Sequence, residues 1–359
     1  MNVVVVGGGP AGAVAALVLA RRGISVTVLE SRAEPERKVG ECLPPNLTPL
    51  LRHLGLEDLL RQDGHLRSLG NRFIWGSPQP GERPFLAGTQ GDGWHVDRLQ
   101  FETRLAERAR AAGAEWRWGS RLTRCERIGN HWRLEIQDEI LEADFVADST
   151  GRIAHLARRL GAKRVRYDRL VGAAALLRSP TPDADTYTLV EAVPEGWWYS
   201  TLLADGRLAV AFMTDGDLLD RDAWRPTLAR TEATRARVED HGYVLEESPR
   251  ILPAETSRLD AIAGEGWLAL GDAAAAYDPL SSHGIGSAMG SGFYGGNAIA
   301  DLLAGNSEAR VAYLEVMQKA YGACLDLQKR HYAQEGRWPE APFWARRRGA
   351  GYCLETVTA

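Results

Sequence analysis

Cysteine is scarce in this chain of 359 residues: Cys42, Cys125, Cys324 and Cys353 are scattered, with no Cys-x-x-Cys or Cys-x-x-His pair among them. That spacing argues against structural zinc and a disulfide framework, and fits a reduced cytosol. An excess of one charge sign is lacking too. The net charge of −4 leaves no basic footprint for nucleic acid, and the surplus of arginine over lysine reads as compositional bias. No apolar run reaches the length of a membrane span, so no membrane partner is expected. Internal repeats and low-complexity linkers are absent. The chain opens directly on an apolar strand, so a cleavable signal is not expected and the cytoplasm is the expected location. What remains is ordinary for a globular protein, 45% hydrophobic and 25% charged residues, enough for one large domain or two interleaved ones.

The most informative stretch is Val3 to Glu30, VVVVGGGPAGAVAALVLARRGISVTVLE. Four valines in a row suit a parallel strand buried on both faces. The turn through Gly7, Gly8, Gly9, Pro10, Ala11 and Gly12 leads into a small-residue helix, and a second strand closes on Glu30. Gly7 permits the tight turn, Gly9 lets a pyrophosphate approach the backbone, and Gly12 lets helix and strand pack closely. The helix N-terminus offers amides and a positive dipole to the phosphates, and Glu30 can accept from a ribose diol. This combination predicts an adenine dinucleotide site.

After Glu30 a polar turn runs to Pro44-Pro45, and Asn46 is the expected cap of a leucine-rich helix. Residues 66–96 read as short strands and loops, and a helix from Asp97 to about Ala112 follows. A hairpin turning at Gly129-Asn130 comes next, and a strand ends in Asp148-Ser149-Thr150-Gly151. Most of 162–258 reads as strands, two of them joined across Asp205-Gly206, with a charged helical stretch near 222–240. The expected architecture is α/β. A Rossmann dinucleotide domain (1–65, 97–161 and 259–359) receives an antiparallel sheet domain (66–96 and 162–258) as two insertions.

A second motif, WLALGDAAAAYDPLSSHGIGSAMGSG, spans Trp267 to Gly292. Its strand ends in Gly271-Asp272, placing a carboxylate where it can bond a ribityl hydroxyl. Pro279 bends the chain, and Gly284-Ile285-Gly286 opens a helix whose free amides suit a ring carrying partial negative charge, such as a reduced flavin. The alternative is that these glycines only let two helices pack closely.

With GGGPAG, Asp97-Arg98, Asp148-Ser-Thr-Gly151, Gly271-Asp272 and Asp278-Pro279 in this order, the chain resembles the FAD-dependent group A monooxygenases and their flavin-dependent halogenase relatives. The resemblance implies the glutathione-reductase-type FAD fold, with Glu30 on the adenosine ribose. It implies Arg98 and Asp272 at the ribityl and phosphate region, and Val39, Gly40, Glu41 and Pro279 to Gly286 around the isoalloxazine. The halogenases' WxWxIP motif has only Gly196-Trp197-Trp198-Tyr199-Ser200 as its nearest counterpart. Their catalytic lysine precedes a Gly-x-x-Phe-x-Trp-Gly segment; that segment is present as Gly70 to Gly76, but Ser68 holds the lysine position. Ser281 stands at their glutamate position and His283 at a threonine. Hydroxylation is therefore favoured over halogenation.

A narrower resemblance rests on Gly40-Glu41-Cys42-Leu43-Pro44-Pro45, PLLRHLGL, GWWYS, RLAVAFMTD, DPLSSHGIGSA and RWPEAPFWARRR. These are similar to the flavoprotein maturases of quinone-cofactor amino-acid oxidases. It implies hydroxylation of a tryptophan side chain on a precursor protein or peptide, with molecular oxygen, through a flavin C4a-hydroperoxide. NAD(P)H or a separate flavin reductase would supply the electrons.

By the same resemblance Glu41, Ser281, Ser282 and His283 stand near the ring, with His283 a candidate general base or only a hydrogen-bonding loop residue. Trp75, Trp197, Trp198 and Tyr199 are the expected substrate-facing aromatics, although alternation alone equally fits strand packing. Cys42 reads as an inert small side chain or a reactive thiol. The C-terminal RWPEAPFWARRRG reads as a tail wrapping the FAD domain, or as a recognition element for a precursor. A halogenase, a small-molecule aromatic hydroxylase and a non-enzymatic flavin-binding escort of a precursor are the alternatives.

Overall fold

The computed structural model describes residues 1–348, apart from 63, 86, 87, 89 and 138. Cys353 and Gly349 lie outside the described residues. Two sheets organise the chain. In the first, strands run in the order Ala263–Gly264, Trp267–Ala269, Phe145–Asp148, Asn2–Val6, Ser25–Leu29 and Glu115–Arg117. All neighbours are parallel except the outermost pair, Ala263–Gly264 with Trp267–Ala269. Val3 aligns with Phe145 on one side and Val26 on the other, and Val3, Val4 and Val5 are fully buried. The unbroken valine run is thus explained by its cover, which comes from helices and from a three-stranded antiparallel sheet, Leu122–Ile128, His131–Ile136 and Glu139–Ala143, whose Trp132, Leu134 and Ile136 share its core. The Pro10–Arg21 helix packs against the helices Arg98–Ala111 and Gly284–Leu303.

The second sheet is largely antiparallel. Its order is Val244–Leu245, Leu170–Arg178, Leu208–Asp215, Gly196–Leu202, Thr188–Val193, Gly70–Ile74 and Gly81–Pro84, with Arg250–Pro253 also paired to Leu170–Arg178. The Asp205-Gly206 hairpin places Gly206 at φ +81°, where only glycine is free of strain. Two helices, Trp224–Ala229 and Ala233–Asp240, cover one face over Trp198 and Phe212. A small sheet joins the two halves: Cys42–Leu43 and Leu66–Ser68 both pair with Gly93–His95.

Three expectations need correction. Asn46 does not cap the next helix. It lies in a single 3-10 turn, Pro45–Leu47, and the Thr48–Leu54 helix begins without a side-chain cap. The C-terminal segment does not wrap the dinucleotide domain. The Glu308–Gln334 helix carries the chain across, so Tyr332, Phe343 and Trp344 pack on the antiparallel sheet with Leu170, Ala192 and Trp197. Arg347 fixes the end there, donating to buried Asp215 at 2.7 Å. Strands Leu66–Ser68 and Gly93–His95, expected in the inserted domain, belong to the small joining sheet.

Candidate active site

A cavity of about 970 Å³ runs between the two sheets and takes residues from both. At one end lies the first turn. Gly7 has φ +105°, and a Cβ there would stand 2.4 Å from the Ser149 carbonyl oxygen. At Gly12 it would stand 2.1 Å from the Gly7 oxygen, so strand and helix approach only because both side chains are missing. Gly9 is different: nothing lies within 4 Å of its missing Cβ, and the residue lines the cavity. Ser149 clamps the turn by donating its hydroxyl to the Gly7 carbonyl at 2.7 Å. Glu30 is 8% exposed, and its two carboxylate oxygens accept from the Gly8 and Arg32 amides, each at 2.9 Å.

Further along, Arg98 donates from Nη1 to the carbonyls of Val39 and Gly40 at 3.0 Å each and pairs with Glu102. It therefore shapes the Val39-Gly40 loop while lining the cavity. Asp272 faces the same space with Arg152, 3.9 Å away, and burial raises its carboxyl against the pull of Arg152 and Arg164. Arg152 also donates to the carbonyl of Tyr277 at 3.1 Å.

The far end of the cavity carries Glu41, Cys42, Asp278, Pro279, Ser282, Gly284 and Ile285. Above them the antiparallel sheet contributes Gly172, Ala174, Tyr199, Ala209, Ala211 and Met213. Glu41 is 4% exposed, and burial pushes its carboxyl above the ordinary range. Asp278, pushed up to about 6 by burial and then by neighbouring Asp168, accepts from the Tyr332 hydroxyl at 2.6 Å and the Gln328 amide at 3.1 Å. Ser282 holds φ +53°, left-handed backbone that costs a non-glycine residue about 1–3 kcal/mol. That strain falls where the Pro279 bend meets the Gly284–Leu303 helix.

The sequence pattern of the FAD binding domain family matches residues 1–315. The chain belongs to that family. LodB of Marinomonas mediterranea, named as an FAD-dependent oxidoreductase, is 28% identical over 364 residues, covering 96% of each chain. A tryptophan 2-halogenase of Chondromyces crocatus is 26% identical over 342 residues, covering 89% of this chain and 65% of its own. The solved structure of QhpG, a peptidyl tryptophan dihydroxylase essential for tryptophylquinone cofactor biogenesis, superposes with a TM-score of 0.80. It is 26% identical, covering 99% of this chain and 80% of that one. The flavin-dependent halogenase CmlS shares the fold at a TM-score of 0.85 and 24% identity, over 97% of this chain and 67% of its own. The superfamily read from the motifs, and the likeness to a tryptophylquinone maturase, are both borne out. This is an FAD-dependent enzyme of monooxygenase type, with a glutathione-reductase-type Rossmann domain and an inserted antiparallel sheet.

The flavoprotein's own residues fit that cofactor. Open space at Gly9 meets the start of one helix, and open space at Gly284, where a Cβ would meet nothing within 4 Å, meets the start of the other. Gly7, Gly9, Ala11, Glu30, Val39, Gly40, Arg98, Asp272, Pro279, Gly284 and Ile285 of the expected set line one cavity, and so do Glu41, Ser282 and Tyr199. Gly12, Gly271 and Gly286 sit behind it. Gly271, at φ +57°, brings its backbone against Ala11, and Gly286 faces Leu47.

Other expected residues are placed elsewhere. His283 does not reach the lining; its Nε2 lies 3.2 Å from the Asn46 side-chain amide. Trp197 and Trp198, 1% and 0% exposed, occupy the core on opposite faces of their strand. Trp197 donates to the Tyr332 hydroxyl at 3.1 Å, and Trp198 stacks on Phe212 at 4.9 Å. Trp75 packs against Trp344 at 5.3 Å. None of the three lines the cavity, so an aromatic wall made of them is corrected to sheet packing.

Sequence reasoning missed Arg152, Asp278 and His95. Arg152 was signalled by its place directly after the Ser-Thr-Gly turn. Asp278 had its own signal in the Asp-Pro pair. His95 gave none, being one residue in a glycine-rich stretch. It is nevertheless fully buried beside Glu41, and burial lowers its pKa to about 4.

Proposed function

We propose that this flavoprotein hydroxylates a tryptophan side chain carried on a peptide or protein. One observation carries the reading: every residue that the antiparallel sheet gives to the cavity lining, from Gly172 to Ala254, is uncharged. Nothing there would pair with the carboxylate or ammonium of a free amino acid. The small floor of Gly172, Ala174, Ala209 and Ala211 instead leaves width for a flat, neutral ring. QhpG, whose name gives peptidyl tryptophan as its substrate, supports the same choice.

When bound and reduced, FAD supplies the activation of molecular oxygen. The chain's residues do the rest. Gly7, Gly9, Ala11 and Arg152 would hold the pyrophosphate, and Arg98, by bonding the Val39 carbonyl, would keep the Val39-Gly40 loop against the ring end. Glu41, whose carboxyl burial pushes above the ordinary range, faces that end as the candidate acid–base group. Ser282, Pro279 and Ile285 line the same end, where they would shield the ring from water. His283 receives no step, because its ring is turned to Asn46.

Halogenation is the second reading, favoured by similarity to the tryptophan 2-halogenase. Against it, Ser68 is 2% exposed within the small joining sheet, outside the cavity lining. The lysine that does line the cavity, Lys38, is paired with Glu102. Intact-mass spectrometry decides between them. Reduced holoprotein is mixed in air and chloride with tryptophan-containing precursors encoded beside its gene. A gain of one or two oxygen atoms on tryptophan is the expected result. A chlorine isotope pattern would assign halogenation, and oxidation of free indoles alone would assign a small-molecule hydroxylase.

A further inference from the structure

We infer that Tyr332, lying behind the cavity wall, positions the turn that faces the flavin site. By holding the Asp278 carboxylate it keeps Ser282 in a left-handed conformation and the start of the Gly284–Leu303 helix on the cavity. The outlier is Ser282 itself, which lines the cavity at φ +53° although it is not glycine. Backbone of that kind persists only where its surroundings over-determine it.

The holding group is Asp278, 2% exposed, with both carboxylate oxygens engaged. Its Oδ1 accepts the Leu280 amide at 2.8 Å, inside the Pro279–Ser281 turn that Ser282 ends. Its Oδ2 reaches away from the turn, to Tyr332 Oη at 2.6 Å and the Gln328 side-chain amide at 3.1 Å. Both partners belong to the Glu308–Gln334 helix. The Asp278 carbonyl also accepts the Ser281 hydroxyl at 3.0 Å, and the Ser282 amide donates to the Pro279 carbonyl at 2.9 Å. Those bonds lie within the turn, whereas the Oδ2 bonds join it to another element.

Tyr332 is fixed in its turn. The Trp197 indole N–H, which can only donate, meets Oη at 3.1 Å, and the phenol proton points to Asp278. Trp75 and Trp344 pack on the ring at 6.0 Å each, and the Arg347 guanidinium stands 5.1 Å over it. The antiparallel sheet and the C-terminal arm therefore both brace the phenol. Tyr332 is fully buried and outside the cavity lining, while Asp278, Ser282, Gly284 and Ile285 are in it. Tyr332 is thus a positioning residue that acts through Asp278.

If the turn relaxes, the start of the helix leaves its place on the cavity, and apparent FAD affinity falls in proportion to the fraction still clamped. Glycine enters left-handed backbone freely, so glycine at position 282 makes the clamp dispensable. The test titrates FAD into cofactor-stripped protein and follows flavin fluorescence. Tyr332→Phe, which keeps the ring, should weaken FAD binding by about tenfold, the worth of one hydrogen bond. Ser282→Gly alone should bind FAD like the wild type, and added to Tyr332→Phe it should restore most of the loss. A packing defect at position 332 would not be repaired by a glycine on the turn. Gln328→Met removes the other Oδ2 donor and serves where Tyr332→Phe fails to fold; it should weaken binding and be rescued in the same way. Wild-type affinity in these variants, or a loss that Ser282→Gly leaves in place, overturns the assignment. No substrate enters the titration, so either result is separate from the hydroxylation reading.

Discussion

Burial lowers the His95 imidazole to about 4, because a charged ring among two threonines and strand backbone has no water to solvate it. Unfolded, it titrates near 6.5. The folded state therefore binds fewer protons between those values, and stability present above pH 6.5 is lost as pH falls toward 4. Asp278 works the other way. Its carboxyl rises from 3.8 to about 6, so the folded state holds its proton longer and stability falls as pH climbs through that range. Each effect is on the order of 3 kcal/mol, and in the wild type they oppose one another. Replacing either group unmasks its counterpart. Urea midpoints compared at pH 7 and 5 should fall on acidification in Asp278→Asn and rise in His95→Asn. Variants whose midpoints move in the same direction would sink this account.

Among the elements, the C-terminal arm has the most surprising placement. Trp344 of the Pro342–Arg348 helix is fully buried and donates its indole N–H to the Val193 carbonyl at 2.8 Å. Removing it leaves a cavity among Trp75, Tyr332 and Phe343 and strands that carbonyl, which together cost about 3–5 kcal/mol. Trp344→Ala should lower the urea midpoint accordingly and expose Arg346 to Arg348 to trypsin under native conditions. Trypsin resistance equal to wild type would show that the arm is held by its arginines instead.

This arm also marks where legibility ended. The dinucleotide strand and helix could be read because each glycine answers a local steric demand, as the 2.1 Å approach at Gly12 shows. An aromatic tail fits any apolar groove, and its partners Trp75 and Trp197 lie far away in sequence. Strand alternation likewise separates Trp197 from Trp198 but does not say which face meets the cavity. His95 reaches its buried place only through pairing with Cys42 in a sheet with no local signature.

At the scale of the whole molecule, the chain has separate cores. Val3, Leu17, Val146 and Ile299 belong to the first, while Trp198 and Phe212, and then Trp197 and Trp344, form two more on either face of the antiparallel sheet. The cavity is the space between these halves, and its walls come from both. Hydrogen bonds such as Tyr332 to Asp278 and His95 to Thr188 cross between the halves, whereas each core packs within its own half. A flavin spanning the cavity therefore adds contacts that only the assembled pair can make, stabilising it by about 2.7 kcal/mol at a hundredfold excess over Kd. Protein stripped of FAD should unfold in two steps, and the loaded protein in one at higher denaturant. Tryptophan fluorescence and far-ultraviolet circular dichroism, followed along the same urea titration, separate the cases. Non-coincident curves without FAD that merge on adding it are the expected result. Coincident curves in both forms would mean that the small joining sheet and the C-terminal arm already couple the halves without the cofactor.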